Sequence, residues 1–448
     1  MLRQIKYGFS ALLFLVMLQS CATYYDKTKQ IESALLSNNY VKAKKNVNSI
    51  KFLKKKRNNL LFHLEMGKIT HLNGEFDTSN YHLNRADNIM QELSPIIDFT
   101  VATLANPSLQ RYRATDYEVI MIHYYKALNY MQLGKMEDAV VEARQINLKQ
   151  QNLFIDKKGK DKKYSQDPFG LTLMGMIYEA DNDFNNAFIA YRNAFEFYQK
   201  SKIFGDKMPT TLAADVNRTA EKSGISYNVK DKMNLSTKGL GGELILFWEN
   251  GLAPIKKEKN TFFSMNKGNG IGLYIFSDAG GVIQIPISYN FEENNEDFDP
   301  SDVGLLRVAH SYFSSRGQLN HKAKLNVNGV SYQFNLGEDI EQLCFQVEKE
   351  NYIKELGKLL IRMVVKKIAE IKLAEQNEIA GLALSVANVT MEKSDTRNWQ
   401  SLPNQVHYAR IPLRKGKNKV ELALENGKVI TLDVQGNGKM VFKNIVTN

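Results

Sequence analysis

Two short motifs carry the residue types of a serine acyl-transfer site. Ser264 and Lys267 fit S-x-x-K, in which the lysine removes the hydroxyl proton of the serine, and residues 288–290 fit the S-x-N motif that accompanies it. This chemistry needs the serine at the start of a helix. Lys267 is instead followed by Gly-Asn-Gly-Ile-Gly, which breaks a helix, and no Lys-Thr-Gly comes later. The sequence therefore predicts no enzyme and assigns no catalytic residue.

Metal-binding residue types are present but are poorly spaced. The seven histidines include no H-E-x-x-H motif, and the acidic stretch 292–302 lacks the glycine and the final glutamate of a calcium-binding EF-hand loop. His63 and His123 fall within helical segments, where we expect them to be packing residues. We therefore predict no metal site and no cofactor.

One of the two cysteines stands where its thiol could be acylated. A short basic start and an uncharged apolar stretch, residues 7–18, precede the tetrapeptide LQSC that ends at Cys21. The stretch is too short to span about 30 Å of hydrocarbon, which takes roughly 20 residues. The tetrapeptide resembles the lipobox of bacterial lipoproteins, in which diacylglycerol is attached to the cysteine. Residues 1–20 are predicted to be a lipoprotein signal peptide and Cys21 the lipid anchor. The alternatives are a plain signal peptide and a free N-terminal helix that contains Cys21.

This anchor predicts the location and the class of partner. Ala22 rather than Asp follows the cysteine, which favours the outer membrane, with the protein facing the periplasm. The formal charge of +11 does not predict a nucleic-acid partner, because a protein that faces the periplasm does not meet nucleic acid. The basic run between Lys42 and Arg57 could meet anionic lipid heads or cell-wall carboxylates, and a solvated helix face is the alternative. With Cys21 acylated, Cys344 has no disulfide partner, so stability must come from a large core.

Helices are expected to fill residues 21–225. Pro168–Tyr198 alternates large and small residues in the order of a tetratricopeptide repeat, and residues 123–146 match the same order, with Gly134 at a turn that needs a positive φ. A helical hairpin array without true repeats is the alternative. Either version predicts a curved stack of helix pairs whose concave surface binds a protein partner, while the lipid contacts the membrane.

Strands and one long helix are expected in residues 226–448, after a glycine-rich boundary. Strand-like stretches occupy 243–248, 271–276, 281–289 and 305–313. Asn328-Gly329 predicts a hairpin with Val327 opposite Val330, and a three-residue loop, 425–427, would pair Leu422 with Ile430. An apolar stripe that includes Ile353 predicts a helix over roughly 339–375 lying across the sheet, with a membrane-surface helix as the alternative. This half is therefore predicted to be α+β with a mostly antiparallel sheet.

Two further stretches support a family resemblance. WENGLAPIKKE (248–258) and SDTRNWQSLPNQVHYARIPL (394–413), together with the lipobox and the repeat-like first half, resemble a little-characterised family of tetratricopeptide-type bacterial envelope lipoproteins. The resemblance implies an envelope lipoprotein without established catalytic residues. It also implies a link to cell-wall assembly, because some members are encoded near lipoprotein activators of penicillin-binding proteins.

These two stretches supply the candidate binding residues, Glu249, Asp395, Arg397 and Trp399. The alternative is scaffolding, in which Asp395 caps a turn, Arg397 pairs with a nearby carboxylate and Trp399 wedges into the core. The function expected from the sequence is a non-enzymatic interaction scaffold or adaptor of the cell envelope. The alternative function is an enzyme or small-ligand binding protein that acts on cell-wall material through residues 226–448. The sequence does not indicate the oligomeric state.

Overall fold

The computed structural model describes residues 23–93, 107–153, 167–201, 204–230, 240–267, 273–278, 281–286, 305–317 and 322–448. A helical region comes first, and a region of strands with one long helix follows, so the mixed α+β class is confirmed. The helices of the first region are α1 (Tyr24–Leu36), α2 (Tyr40–Ser49), α3 (Asn59–Leu72), α4 (Phe76–Glu92), α5 (Asp116–Gln132), α6 (Met136–Leu153), α7 (Pro168–Ala180), α8 (Phe184–Lys200) and α9 (Leu212–Lys222).

Local sequence signals set where these helices begin and turn. Thr23 forms a capping box with Asp26 at the start of α1, and Asp167 caps α7 directly before a proline in its first turn. The turn between α5 and α6 contains Gly134, whose φ of 70° confirms the predicted positive value. Each pair of helices joined by such a short turn packs as a hairpin, as in α3 with α4 and α7 with α8.

Close approach within the hairpins depends on small residues. A Cβ added to Gly175 of α7 would lie 2.5 Å from the ring of Tyr191 in α8, and a Cβ on Gly67 of α3 would lie 2.5 Å from Leu83 in α4. Ala127 and Ala143 occupy the corresponding places in α5 and α6, and both are fully buried. In all three hairpins the first residue of the pair precedes the second by the same sequence interval, and in the two glycine-containing hairpins the pair is in close contact.

The second region contains β1 (Glu243–Asn250), β2 (Ile255–Lys267), β3 (Leu273–Asp278), β4 (Gly281–Pro286), β5 (Leu305–Ser314), β6 (Ala323–Val327), β7 (Val330–Tyr332), β8 (Asn335–Asp339), α10 (Ile340–Gln376), α11 (Glu378–Met391), β9 (Gln405–Pro412), β10 (Gly416–Leu424), β11 (Val429–Gly436) and β12 (Met440–Thr447). Within the described residues these strands form three four-stranded sheets. Their orders are β12-β1-β9-β8, β11-β10-β6-β7 and β4-β3-β2-β5. Only the β1–β12 pair among these is parallel, so the predicted antiparallel character is confirmed.

Both predicted hairpin registers are confirmed. Val327 pairs with Val330 around the Asn328-Gly329 turn. Leu422 pairs with Ile430, and the Leu424 N–H donates to the Lys428 carbonyl at 2.9 Å, which closes the other hairpin around a three-residue loop. Gly427 in that loop has a φ of 83°, which a side chain rarely adopts.

The sheet β12-β1-β9-β8, called the central sheet here, is buried on both faces. Ile245 and Phe247 of β1 pack against the helices, whereas Leu244 and Leu246 pack against the sheet β11-β10-β6-β7. The continuous apolar run in β1 follows from this position, because neither face of the strand meets water. The core of the helical region therefore continues across the chain into the central sheet.

This arrangement covers the inner face of the helical array. In α5, every residue from Tyr117 to Asn129 is buried, and in α7 every residue from Pro168 to Glu179 is buried. Tyr124 of α5 and Phe169 of α7 both contact the ring of Phe247, with ring centroids 5.7 Å and 6.5 Å from it. Helices α3, α5 and α7 are thus enclosed between the outer helices of their hairpins and the second half of the chain.

The predicted long helix is confirmed as α10, and it lies on the third sheet. Leu356, Leu360 and Val364 pack against Phe263 of β2 and Val308 of β5. Ile353 was predicted to belong to the same apolar stripe, but it is 51% exposed. Ile353 lies between the part of α10 that packs on the first core, at Val347, and the part that packs on the third sheet, from Leu356 onward, so the apolar stripe is interrupted there.

Candidate functional site

A cleft of about 450 Å³ opens where the two halves of the chain meet. Segment 107–115, which leads into α5, forms one side, and α10 with the strands β2 and β5 forms the other. We call it the junction cleft. Its lining comprises Pro107, Arg113, Thr115, Lys256, Ala309, His310, Ser311, Tyr312, Phe313, Val347, Glu348, Asn351, Tyr352, Glu355, Leu356, Leu359, Ser394 and Asp395. Its volume lies in the range of small-molecule and peptide sites.

The floor of the junction cleft is apolar and well fixed. Phe313 of β5 is 7% exposed, and its backbone N–H donates to the Glu348 carboxylate at 2.8 Å, which ties β5 to α10. Leu356 contributes to the core under α10 while also lining the cleft. An apolar ligand group would therefore meet a surface whose shape the core already determines.

Charges of both signs surround this floor. Arg113 and Lys256 supply positive charge, and the Lys256 Nζ lies 5.0 Å from the centre of the Phe313 ring. Glu348, Glu355 and Asp395 supply carboxylates. A ligand that carries both an amino and a carboxyl group, as a peptide does, would find complementary charges here.

One histidine of the cleft has a fixed orientation. The His310 Nε2 lies 3.1 Å from the Thr261 Oγ1, and its ring meets Tyr352 edge-on at a centroid distance of 6.0 Å. A hydroxyl and an imidazole in this contact resemble a nucleophile with its base. Thr261, however, is 8% exposed and does not line the cleft. The contact therefore orients the imidazole rather than presenting a nucleophile to a ligand.

Asp395 is the sequence-predicted residue that reaches the cleft. Its side chain is 31% exposed and pairs with the guanidinium of Arg397 at 2.6 Å, while its Oδ1 accepts from the Arg397 backbone N–H. Arg397 itself is 3% exposed and also donates to the Asn58 side chain at 2.7 Å. Asp395 thus caps its turn and pairs with Arg397, in the manner of the scaffolding alternative, and Arg397 also joins residues 394–404 to the helical region.

Trp399 lies in the interface between the helices and residues 394–404. Its ring is fully buried, 6.0 Å from the ring of Tyr125 between the centroids, and its backbone N–H donates to the Glu118 carboxylate at 2.8 Å. The next backbone N–H, that of Gln400, donates to Glu65 at 2.9 Å. Buried carboxylates on α3 and α5 therefore satisfy two successive backbone groups of this segment, which would otherwise be costly to bury.

Glu249 lies in the same interface. Together with Lys68 and Asn444 it forms a group of polar side chains between the helices and the central sheet, which we call the polar layer. Glu249 pairs with Lys68 of α3, and both side chains are almost completely buried. Asn444 donates to Glu249 at 2.9 Å, and the Lys68 Nζ lies 4.2 Å from the centre of the Tyr125 ring. Burial lowers the pKa of Lys68, against the opposing effect of the Glu249 carboxylate.

The four candidate residues are therefore connected through a series of contacts. Glu249 pairs with Lys68, whose ammonium lies over the Tyr125 ring, and that ring contacts Trp399. The Trp399 backbone N–H donates to Glu118, which also accepts from the Tyr112 hydroxyl. The Arg397 guanidinium lies over the Tyr112 ring. Only Asp395 of the four lines the junction cleft. The other three hold the two halves of the chain together.

Other sequence candidates fall in different places. Ser264 and Lys267 lie in strand β2, so the helix that S-x-x-K chemistry needs is not formed there. Cys21, residues 1–20, residues 288–290 and residues 292–302 lie outside the described residues. In the part of the chain that the structure describes, no three His, Cys, Asp or Glu side chains are placed to hold a metal ion.

The cleft residues other than Asp395, and one histidine pair, were not predicted from the sequence. Arg113, His310 and Glu355 come from three distant segments, and no local motif brings them together. The His63 and His82 Nδ1 atoms lie 2.9 Å apart across the α3–α4 hairpin. Burial, and then the charge of His82, lower the pKa of His63 to about 4. The spacing of the two histidines along one helical hairpin was the sequence signal that could have identified this pair.

Comparisons of the chain with models of known protein families, with curated proteins and with solved structures find no match. Among the described helices, none combines the length and the apolar character that a bilayer crossing requires.

Proposed function

We propose that the protein is a lipid-anchored scaffold or adaptor of the bacterial cell envelope, which binds a peptide segment of a partner protein in the junction cleft without catalysis. The observation that carries this proposal is the cleft itself. It combines an apolar floor with cations and carboxylates, and it is built from both halves of the chain. Such a surface favours recognition of a segment with mixed character.

A tetratricopeptide-like solenoid is the finer fold that we propose for the helical region. The recurrent small-to-large contacts, such as Gly67 with Leu83 and Gly175 with Tyr191, support it. In this proposal the array does not bind its partner on the concave face, because the central sheet and residues 394–404 cover the inner helices. Its role is to form a rigid support that presents segment 107–115 to the cleft.

Acylation of Cys21 is the second part of the proposal. The apolar stretch before LQSC supports it, and it would place the chain on the periplasmic side of the outer membrane. Mass spectrometry of the first tryptic peptide from membranes should find the lipid on Cys21. A Cys21→Ser chain should lose both this mass and its membrane fractionation, and a chain that kept its membrane location would contradict the anchor.

The binding role can be tested with a photoreactive amino acid in living cells. At position 355, inside the cleft, we expect a discrete crosslinked partner. Position 350 is the matched control, because Glu350 is exposed on the same helix but does not line the cleft. Crosslinking should also disappear when Asn351→Trp fills the cleft. Identical adducts from positions 355 and 350, or none from position 355, would contradict the proposal.

A small-ligand binding role is the second candidate, because the cleft volume also suits a short cell-wall peptide. In that case the complete chain should bind purified muropeptides in calorimetry. Asp395→Ala should weaken this binding, since Asp395 lines the cleft, whereas Glu249→Ala should mainly lower the unfolding temperature, since Glu249 is buried in the polar layer. Binding that Asp395→Ala left unchanged would argue against this candidate.

A further inference from the structure

Lysines are concentrated where the described chain begins. Residues 23–57 contain ten lysines or arginines and two acidic residues. The Tyr24 ring, at the start of α1, lies 6.1 Å from the Phe52 ring between centroids, and the Lys27 Nζ lies 4.4 Å from the centre of the same ring. The first helical turn therefore sits directly beside the segment that follows α2.

That segment, residues 51–57, is called the basic loop here. The neighbouring Ile50 is 7% exposed and Leu53 is fully buried, and the Lys55 N–H donates to the Phe52 carbonyl at 3.3 Å. The loop is therefore held against the core by its apolar residues. Its lysines are exposed at positions 51, 54, 55 and 56, as are Lys27, Lys42 and Lys45 nearby in α1 and α2.

The acidic residues of α1 are already engaged elsewhere. Asp26 accepts from the Thr23 hydroxyl at 2.6 Å, and Glu32 pairs with Arg316 at 3.4 Å. On the neighbouring hairpin, Glu75 pairs with Lys44 at 2.7 Å. These contacts leave the positive charge of the basic loop directed at solvent rather than at a carboxylate of α1.

The position of Cys21 then fixes what the basic loop would face. Cys21 precedes Thr23 by two residues, which span at most about 7 Å even when fully extended. Thr23 begins the helix that packs on Phe52. An acyl chain on Cys21 would thus hold the side of the fold that carries the basic loop towards the lipid headgroups.

We infer that the basic loop, with Lys27, Lys42 and Lys45, is a docking surface for anionic phospholipid headgroups and orients the protein on the membrane. This inference rests on the acylation of Cys21 in the proposed function. Anionic lipid is the occupant because the proposed anchor joins the described chain at Thr23, and the next residue, Tyr24, packs on Phe52 of the basic loop. An acyl anchor combined with a basic surface also gives firmer membrane attachment than either alone.

The test uses the chain from residue 22 onward, which lacks the anchor and keeps every described residue. We expect it to sediment with vesicles of phosphatidylglycerol and phosphatidylethanolamine at low salt, but not with vesicles of phosphatidylcholine. Replacing the loop lysines 51, 54, 55 and 56 by glutamine should weaken this binding about tenfold or more, since each lysine near the surface contributes separately. Added salt should weaken the wild-type binding in the same direction.

The matched control removes four other exposed lysines, Lys349, Lys354, Lys358 and Lys417. It should keep its vesicle binding, and both variants should keep the wild-type unfolding temperature. Equal losses in the two variants, binding only to purified cell walls, or no vesicle binding at low salt would overturn the inference. The lipid mass on Cys21 of the full chain is measured separately, so a failed anchor and a failed docking surface are distinguishable.

Discussion

At the scale of single residues, the polar layer shows how charged groups can be buried between two halves of a chain. The Lys68–Glu249 pair is almost inaccessible to water, and Asn444 donates a further hydrogen bond to the carboxylate. Arg410 forms a second such group, with Glu179 at 2.8 Å and Glu243 at 2.6 Å. Buried pairs of this kind add little net stability over apolar residues, but removing one partner leaves an uncompensated charge.

Lys68→Met should therefore lower the free energy of unfolding by about 3–5 kcal/mol, because it leaves Glu249 charged and buried. The double replacement Lys68→Met with Glu249→Leu should recover most of this loss. Urea unfolding of the two single variants and the double variant measures the coupling. Lys44→Met is the control, because the Lys44–Glu75 pair is about one-third exposed and should cost less than about 1 kcal/mol. Additive losses in the double variant would contradict the ion pair.

The histidine at position 71 gives a residue-scale prediction about pH. Burial, and then the charge of Lys68, lower the pKa of His71 to about 4. The folded imidazole stays neutral while the unfolded one binds a proton below about pH 6.5, so its stabilising contribution is complete above pH 6.5 and is lost as the pH falls towards 4. Thermal unfolding should therefore show a lower midpoint at pH 5 than at pH 7.

His71→Gln tests this assignment. Its amide can replace the contacts of the imidazole with Asn129 at 2.6 Å and with Asn444 at 3.3 Å, but it cannot take up a proton. The variant should show a smaller fall in unfolding temperature between pH 7 and pH 5 than the wild type. An unchanged slope would show that His71 does not contribute to the acid sensitivity.

At the scale of elements, the start of α7 and the strand β8 are joined by two carboxyl groups. Glu338 is 4% exposed and is hydrogen-bonded to Asp167, the residue that caps α7. The backbone approaches closely here, because a Cβ on Gly337 would lie 2.6 Å from the Phe169 ring. Burial, and then the charge of Asp167, raise the pKa of Glu338, so the pair shares a proton in the folded chain.

Glu338→Gln should raise the unfolding temperature at pH 8 more than at pH 4.5. A carboxyl group whose folded pKa is raised stabilises the fold fully below its unfolded pKa and loses this contribution as the pH rises. The amide supplies the same donor to Asp167 without needing a proton. Calorimetry at the two pH values provides the measurement, with Glu350→Gln as an exposed control that should have no effect at either pH. Equal destabilisation at both pH values would exclude the shared proton.

At the scale of the whole molecule, the helical region and the central sheet depend on one core. Phe247 of β1 contacts Tyr124 and Phe169, and the Gln132 side chain donates to the backbone carbonyl of Phe442 in β12 at 2.7 Å. The segment from Asp395 to Arg410 adds polar contacts to the same helices. Separating the halves near residue 226 would expose this shared apolar surface to water.

The helices and the central sheet should therefore unfold together. The two tryptophans, Trp248 and Trp399, are buried in or beside the central sheet, so their fluorescence reports on that region, whereas circular dichroism reports mainly on the helices. We expect the two signals to give the same midpoint in urea. The fragment 226–448 alone should bind hydrophobic dyes and aggregate. Two separate midpoints, or a well-folded fragment, would contradict the shared core.

The sequence alone determined the features that depend on neighbouring residues. The Asn328-Gly329 turn and the three-residue loop at 425–427 set their registers, because the allowed φ values and the alternation of apolar residues leave few choices. The extent of α10 and the approach of Gly175 to Tyr191 follow in the same way from periodicity and residue size. In each case the cause lies within a short stretch of chain.

Only the tertiary structure decided which surfaces are free and which are buried. Apolar periodicity predicts that a helix face is covered but not by what, so it could not show that the central sheet covers α5 and α7. The partner of Glu249 is 181 positions away in the sequence, and no local motif indicates it. Asp395 reaches the junction cleft and Trp399 does not, although four positions separate them. Such pairings depend on how distant segments fold together, which residue type and spacing do not encode.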